Sequence, residues 1–173
     1  MQLTIRSGGQ SGVDRAALDV ALREGLPYGG WCPRGGWAED YSSPPGLLTL
    51  YPRLTETPSA RPEQRMAWNV RDSHATVILV RGDELARSPG TQFTQLCAEL
   101  IFLRPCLVAD ISRPEALAAA HHWLSQVASG LDVVELVLNV AGPRESQAPG
   151  IYAEAKEFLN RLLTKRIPPP HVG

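Results

Sequence analysis

The sequence has little cysteine, no concentrated basic charge and no long apolar run. Its three cysteines are an odd number without C-x-x-C spacing, which argues against a disulfide framework and against a zinc site. A formal net charge of -1 without a basic cluster argues against broad nucleic-acid binding. No apolar run approaches the roughly 20 residues of a membrane-spanning helix, and residues 1–12 lack a signal-peptide pattern. We therefore expect a cytoplasmic protein that binds neither membrane nor nucleic acid.

Signatures of several enzyme classes are also missing. The chain has no Ser-His-Asp order, no zinc motif and no Walker lysine. The glycine-rich stretch at 8–12 is not G-x-G-x-x-G, so a nicotinamide cofactor is not the first choice. Cys97 and Cys106 lie in apolar stretches and are expected to be small core residues, whereas Cys32 borders a loop and could be exposed.

Apolar runs alternate with helical patterns along the chain. The runs that predict buried strands are Leu3–Ile5, Thr76–Val80, Cys106–Ala109 and Val133–Val140, with a weaker one at Tyr28–Trp31. The helical patterns cover residues 13–24, 92–103, 113–128 and 150–164. This alternation predicts a Rossmann-like, doubly wound α/β fold, with a mostly parallel sheet of about five or more strands and helices on both faces. We expect residues 1–166 to form one domain and 167–173 to form a C-terminal tail.

The helical patterns also predict buried faces and helix starts. The residues expected on the inner face of the helix at 92–103 are Phe93, Leu96, Leu100 and Leu103. Ser11 with Asp14, and Ser112 with Glu115, have the spacing of a capping box.

Residues 33–61 depart from the alternation. They contain five prolines and little helical periodicity, and a connection this long in a compact domain is usually functional or disordered. Apolar residues such as Trp37, Leu47, Tyr51 and Leu54 argue against disorder. We therefore predict an ordered flap beside a site.

A glycine-rich turn joins the first predicted strand to the first helix. Its residues are Gly8, Gly9, Gln10, Ser11 and Gly12. Glycine permits positive φ and close approach of the backbone, and the first amides of a helix favour anions. This pattern predicts a backbone anion site, although a tight strand–helix connection without a ligand remains an alternative.

Further polar residues fall where ligands bind in such folds, at the carboxyl edge of the sheet. Gly90, Thr91 and Thr94 form a second glycine-then-hydroxyl helix start, in which Thr91 is either an anion ligand or only the N-cap. Arg34 and Arg144 are candidates for clamps on a phosphate or oxyanion. The alternative for each arginine is a structural salt bridge, for which Glu39 and Asp40 are nearby partners of Arg34.

Asn69, Asp72 and Ser73 lie between a short helix and the predicted strand at Thr76–Val80. Two interpretations stand side by side. The residues either belong to the binding site, if this helix folds back over the edge, or form a turn that enters the strand.

Taken in order, several of these motifs resemble the molybdenum cofactor carrier proteins, a family within a Rossmann-like nucleotide-binding superfamily. The matching stretches are 8–19, 30–35, 38–40, 54–57, 68–73, Gly90-Thr91 with Thr94, and 138–146. The resemblance implies a homo-oligomeric, non-catalytic carrier of molybdenum cofactor, an anionic pterin with a phosphate and a molybdenum-oxo dithiolene head. It also implies binding by the glycine turn and by the Gly90–Thr94 loop. Molybdate or tungstate is an alternative cargo, and proteins that synthesise or receive the cofactor are the implied partners.

Two other functions remain open, the first of them in the same superfamily. Phosphoribohydrolases, which release a base from a nucleoside monophosphate, carry a Pro-Gly-Gly-x-Gly-Thr-x-x-Glu loop. The corresponding stretch here is Pro89–Gln95, which lacks the extra glycines and the glutamate. An enzyme would then need Glu39 or Glu145 against the ribose. The third possibility is a nucleotide-sensing module.

Overall fold

The computed structural model describes residues 2–131 and 133–164, and these contain a six-stranded, all-parallel sheet. The strands are β1 (Gln2–Arg6), β2 (Tyr28–Cys32), β3 (Leu54–Glu56), β4 (Ala75–Val80), β5 (Cys106–Asp110) and β6 (Glu135–Ala141). Their spatial order is β3-β2-β1-β6-β4-β5, and every strand pair is parallel. The predicted Rossmann-like fold is therefore confirmed. The proposed tail at 167–173 lies outside the described residues.

Helices cover both faces of the sheet. They are α1 (Val13–Arg23), α2 (Pro62–Arg71), α3 (Glu84–Arg87), α4 (Pro89–Leu96), α5 (Ala116–Gly130) and α6 (Ile151–Thr164). The connections β1–β2 and β5–β6 run in one direction along the sheet, and the connections β3–β4 and β4–β5 run in the other. Because crossovers are right-handed, α1 and α5 therefore lie on one face and α2 and α4 lie on the other. The packing agrees, because α6 contacts α1 and α5 while α2 contacts α4. No helix among the described residues is long and apolar enough to cross a membrane.

The core is built around the central strands. Every residue of β4 is buried, as expected for a central strand of a parallel sheet covered on both faces. Ile5 of β1 and Leu136 and Leu138 of β6 are fully buried beside it. The chain steps from β1 toward one edge of the sheet and from β4 toward the other. The carboxyl ends of these central strands therefore border the crevice where such folds bind ligands.

The segment at 33–61 contains a strand that sequence reasoning missed. β3 pairs with β2 from Gly30 opposite Leu54 to Cys32 opposite Glu56. It is an edge strand of three residues, two of them polar and exposed, so its pattern is too short to recognise. Leu47 and Tyr51 are buried as anchors of this segment.

The predicted inner face at 92–103 is wrong beyond Phe93. Leu96, Leu100 and Leu103 are 44%, 72% and 77% exposed. The helix begins earlier than predicted, at Pro89, and continues after Leu96 as a π-helical turn, Cys97–Ile101. A π turn contains more residues than an α turn, so the spacing used to place Leu100 and Leu103 does not hold across it.

The predicted helix caps do not form. Gly12 occupies the N-cap of α1 without a side-chain cap, because the Ser11 hydroxyl instead donates to Glu39 and accepts from the Glu145 N–H. Helix α5 begins at Ala116, and Ser112 bonds to Asp110.

Cys32 is buried, contrary to the exposed position considered for it. It has no exposed surface, and burial, followed by the nearby Glu56, raises the pKa of its thiol to about 11. A thiol in this state is unreactive at neutral pH.

The start of α1 packs against the loop that follows β6. Gly12 has a φ of 77°, and a Cβ on it would lie 2.4 Å from the Pro143 carbonyl oxygen. The Val13 N–H donates to the same oxygen at 3.3 Å. Gly12 is therefore required for close packing of two backbone segments.

Gly12→Ala is expected to reduce the free energy of unfolding by about 1–3 kcal/mol more than Gly25→Ala, the range typical of overpacking. Gly25 is a matched control, because its φ is also positive, at 66°, while nothing lies within 4 Å of its Cβ position. Urea unfolding of both variants measures the difference. Equal losses would show that the contact with Pro143 does not limit this position.

Candidate functional site

A cavity of about 730 Å³ opens at the carboxyl edge of the sheet. Its walls come from the segments after β1, β2 and β6, together with the starts of α2 and α4. This position is the one predicted from the strand order, and the volume lies within the ordinary range for small-molecule sites, roughly 300–1,000 Å³.

The cavity is lined in part by apolar side chains. Trp37, Met66 and Phe93 line it, and Trp37 remains 37% exposed. Three prolines and two alanines add to the apolar lining, namely Pro44, Pro62, Pro89, Ala60 and Ala141. Two aromatic rings and a thioether are groups that can contact a flat heterocycle.

The floor carries a buried ion pair. Arg65 Nη1 lies 2.8 Å from Asp14 Oδ2, and the two side chains are only 11% and 6% exposed. Burial raises the pKa of the Asp14 carboxyl, while the Arg65 guanidinium and the Gln10 N–H act in the opposite direction. Sequence reasoning missed Arg65, because its location on a buried helix face is recognisable only once that face is known.

Gly8 allows Arg65 to reach Asp14. A Cβ on Gly8 would lie 1.9 Å from Arg65 Nη1. The side chain of Arg65 therefore crosses the end of β1 where a larger residue would block it. The first glycine of the turn thus accommodates a cation from the protein itself.

Apart from Gln10, the rest of the glycine turn does not line the cavity. The Ser11 N–H donates to Gln10 Oε1 at 3.0 Å, the Gln10 N–H interacts with the Asp14 carboxylate, and Gly9 is packed beside Leu47. Of the turn, only Gln10 lines the cavity. The expectation that the amides of the turn point together at a ligand is therefore wrong for Gln10 and Ser11, since both are already bonded.

The start of α4 lines the cavity with Gly90, Thr91 and Thr94. The N-cap alternative for Thr91 is wrong. Ser88 holds the N-cap position of α4 and makes no cap hydrogen bond. Its hydroxyl lies 2.7 Å from Thr91 Oγ1 instead. Thr94 Oγ1 donates back to the Gly90 carbonyl at 3.1 Å. The N–H groups of Gly90 and Thr91 thus lack a side-chain cap at the positive end of a helix that borders the cavity.

Arg34 and Arg144 also line the cavity. Arg34 is exposed, and Asp40, its suggested partner, bonds to Arg15 through both carboxylate oxygens at 3.0 Å. The Arg144 side chain is 40% exposed and lies 3.7 Å from Glu39. Arg144 therefore has a salt-bridge partner, the alternative considered for it, while both arginines border the cavity; their role as anion ligands stays a prediction.

Asn69, Asp72 and Ser73 do not line the main cavity. Asn69 Oδ1 accepts from the Trp31 N–H at 2.8 Å, and its amide donates back to the Trp31 carbonyl. Asp72 accepts from Trp31 Nε1 at 2.7 Å, and Ser73 donates to the Asn69 carbonyl. These residues join α2 to β2, which favours the turn interpretation. Asn69 reaches only a void of about 10 Å³ beneath the cavity.

The two glutamates considered for the hydrolase alternative have structural partners. Glu39 accepts from Ser11 and from Ser146, and although burial opposes it, these bonds lower the pKa of its carboxyl. Glu145 accepts from the backbone N–H groups at the start of α6, those of Gly150 and Tyr152. Neither side chain lines the cavity. No cluster of three or more His, Cys, Asp or Glu among residues 2–131 and 133–164 is arranged to hold a metal ion.

Fold and site together define a Rossmann-like α/β protein with a ligand cavity at the switch point of its sheet. The model of the circularly permutated YpsA SLOG family matches residues 5–163, so the chain belongs to this family. A crystal structure of a protein from Syntrophus aciditrophicus, named a putative molybdenum carrier protein, is similar. It is 36% identical with a TM-score of 0.77, covering 92% of this chain and 94% of that one. No curated protein matches the chain. The resemblance found in the motifs is thus confirmed.

Arg65→Met is expected to lower the free energy of unfolding by about 3–5 kcal/mol, because it leaves the Asp14 carboxylate buried without its partner. Adding Asp14→Asn should recover part of this loss, since the uncompensated charge is then removed. Urea unfolding of the two single variants and the double variant measures the coupling.

Arg71→Met is the matched control on the same helix. The Arg71–Asp72 pair is 42% and 28% exposed, and an exposed pair contributes about 1 kcal/mol or less. Strict additivity of Arg65→Met and Asp14→Asn would contradict the assignment of a coupled pair.

Proposed function

We propose that this protein is a non-catalytic carrier that binds, stores and transfers molybdenum cofactor, an anionic pterin with a phosphate and a molybdenum-oxo head. The observation that carries the proposal is one cavity combining a ring-sized apolar wall with a cationic, amide-rich anion site. The relative named a putative molybdenum carrier protein supports the carrier role. In this proposal the metal is carried on the pterin. Free molybdate or tungstate is the alternative cargo.

The anion end of the site is formed by four groups. The uncapped N–H groups of Gly90 and Thr91 point from the start of α4, and Arg34 and Arg144 stand beside the same cavity. Helix amides and planar guanidinium forks are complementary to a phosphate or an oxyanion. Three arginines and two carboxylates line the cavity, so its formal charge favours an anion.

The ring end of the site is the wall formed by Trp37, Met66 and Phe93. A fused bicyclic ring gains dispersion and stacking energy against such side chains. The exposed position of Trp37 places this wall next to solvent, where cargo enters and leaves. In this proposal the protein is a cytoplasmic homo-oligomer. It exchanges its cargo with proteins that synthesise the cofactor and with proteins that receive it.

Anaerobic calorimetry with molybdenum cofactor is expected to show binding near one equivalent per chain. Arg34→Gln and Arg144→Gln should each weaken it about tenfold, since each removes a charge-assisted hydrogen bond. Arg104→Gln is the control, because Arg104 is also exposed but lies outside the cavity lining.

Absence of binding by molybdenum cofactor, molybdate and tungstate would contradict the carrier. Release of free base from a panel of nucleoside monophosphates, lost in Glu63→Gln, would establish a hydrolase instead. Glu63 is the carboxylate to test, because it lines the cavity together with Asp14. Tight nucleotide binding without turnover, combined with no pterin binding, would establish a nucleotide sensor.

A further inference from the structure

The ion pair on the cavity floor is incompletely satisfied. Arg65 is 9% exposed, yet its Nε is buried without a hydrogen-bond partner among the described residues. A buried guanidinium N–H without an acceptor costs free energy, so an orphan at this place requires an explanation. This Nε is closed off from the cavity, but Arg65 lines the cavity with other atoms of its side chain. Among the described residues its hydrogen bond is the one from Nη1 to Asp14, and Nη2 is not among the buried orphans, so Nη2 is the donor left for a ligand.

Asp14 retains accepting capacity beside this donor. A carboxylate offers about four lone-pair sites, and the contacts described for Asp14 are the one with Arg65 at 2.8 Å and the one with the Gln10 N–H. Asp14 also lines the cavity. The floor therefore presents an acceptor directly next to a donor, below an apolar wall.

We propose that Asp14 and Arg65 recognise the amino–oxo edge of a 2-amino-4-oxo heterocycle. The Asp14 carboxylate accepts from the ring N–H and the exocyclic amine, and the Arg65 guanidinium donates to the adjacent carbonyl oxygen. The inference rests on the proposed function and adds a residue assignment and an orientation. The ring edge lies deep, at the 4% exposed Asp14, and the phosphate lies toward the exposed Arg34.

This order of hydrogen-bonding groups defines a ligand class. The 2-amine, the neighbouring N–H and the next carbonyl occur in the same order in pterins and in guanine. Replacing the amine with oxygen places an acceptor against the carboxylate. Sites that hydrogen-bond a ligand through buried polar groups discriminate strongly against analogues that leave those groups unpaired.

Wild-type protein tests the inference through two matched probes, 6-hydroxymethylpterin phosphate and 6-hydroxymethyllumazine phosphate. The lumazine has a 2-oxo group in place of the 2-amine, together with a hydrogen on the adjoining N1. Calorimetry is expected to show at least tenfold weaker binding of the lumazine. Equal affinities would overturn the assignment of Asp14 and Arg65 while leaving the carrier intact. Failure of both probes and of molybdenum cofactor to bind would overturn the proposed function itself.

Asp14→Asn should reduce the preference for the pterin at least tenfold, because the amide presents a donor to the ligand amine. Glu63→Gln, which alters the other carboxylate of the lining, should leave the preference unchanged. An undiminished preference in folded Asp14→Asn would overturn the role of Asp14. If Asp14→Asn does not fold, the two probes on wild-type protein decide the question alone.

Discussion

The ion pair between Asp14 and Arg65 joins the two helical layers across the carboxyl end of β1. Asp14 lies in the first turn of α1, on one face of the sheet, and Arg65 lies in α2, on the other. Their contact at 2.8 Å passes over Gly8, which has no side chain to obstruct it. The cavity lies above this contact, so its floor, its depth and its charge all depend on the pair.

In this geometry the glycines of the turn allow close packing within the protein. Gly8 gives room to Arg65, and Gly12 lets the backbone after β6 pack within 2.4 Å of its Cβ position. In the proposed function, the anion is bound instead at the uncapped start of α4 and by Arg34 and Arg144. A glycine-rich strand–helix turn can therefore serve cavity construction as well as direct contact with a ligand.

The sequence predicted the fold class, five of the six strands, and the edge of the sheet at which the cavity lies, because hydrophobic periodicity records burial directly. It did not predict β3, whose three residues carry too little pattern, or the exposed Leu100 and Leu103, since a π turn breaks the helical spacing. One cavity is lined by six of the predicted site residues, namely Gln10, Arg34, Gly90, Thr91, Thr94 and Arg144. Arg65 was missed because long-range pairing leaves no local signal. For Asn69, Asp72 and Ser73 the sequence left a site and a turn side by side, since it does not show that Asn69 and Asp72 bond to Trp31 of β2.

In the proposed carrier, the anionic ring ligand lies in one cavity, between the start of α4 and the Asp14–Arg65 floor. The most direct measurement is a crystal structure of the protein soaked with tungstate, whose anomalous scattering locates the heavy atom. We predict a tungsten peak near the amides of Gly90 and Thr91, beside the Arg34 and Arg144 guanidinium groups. A peak elsewhere, with none in the cavity, would contradict the account.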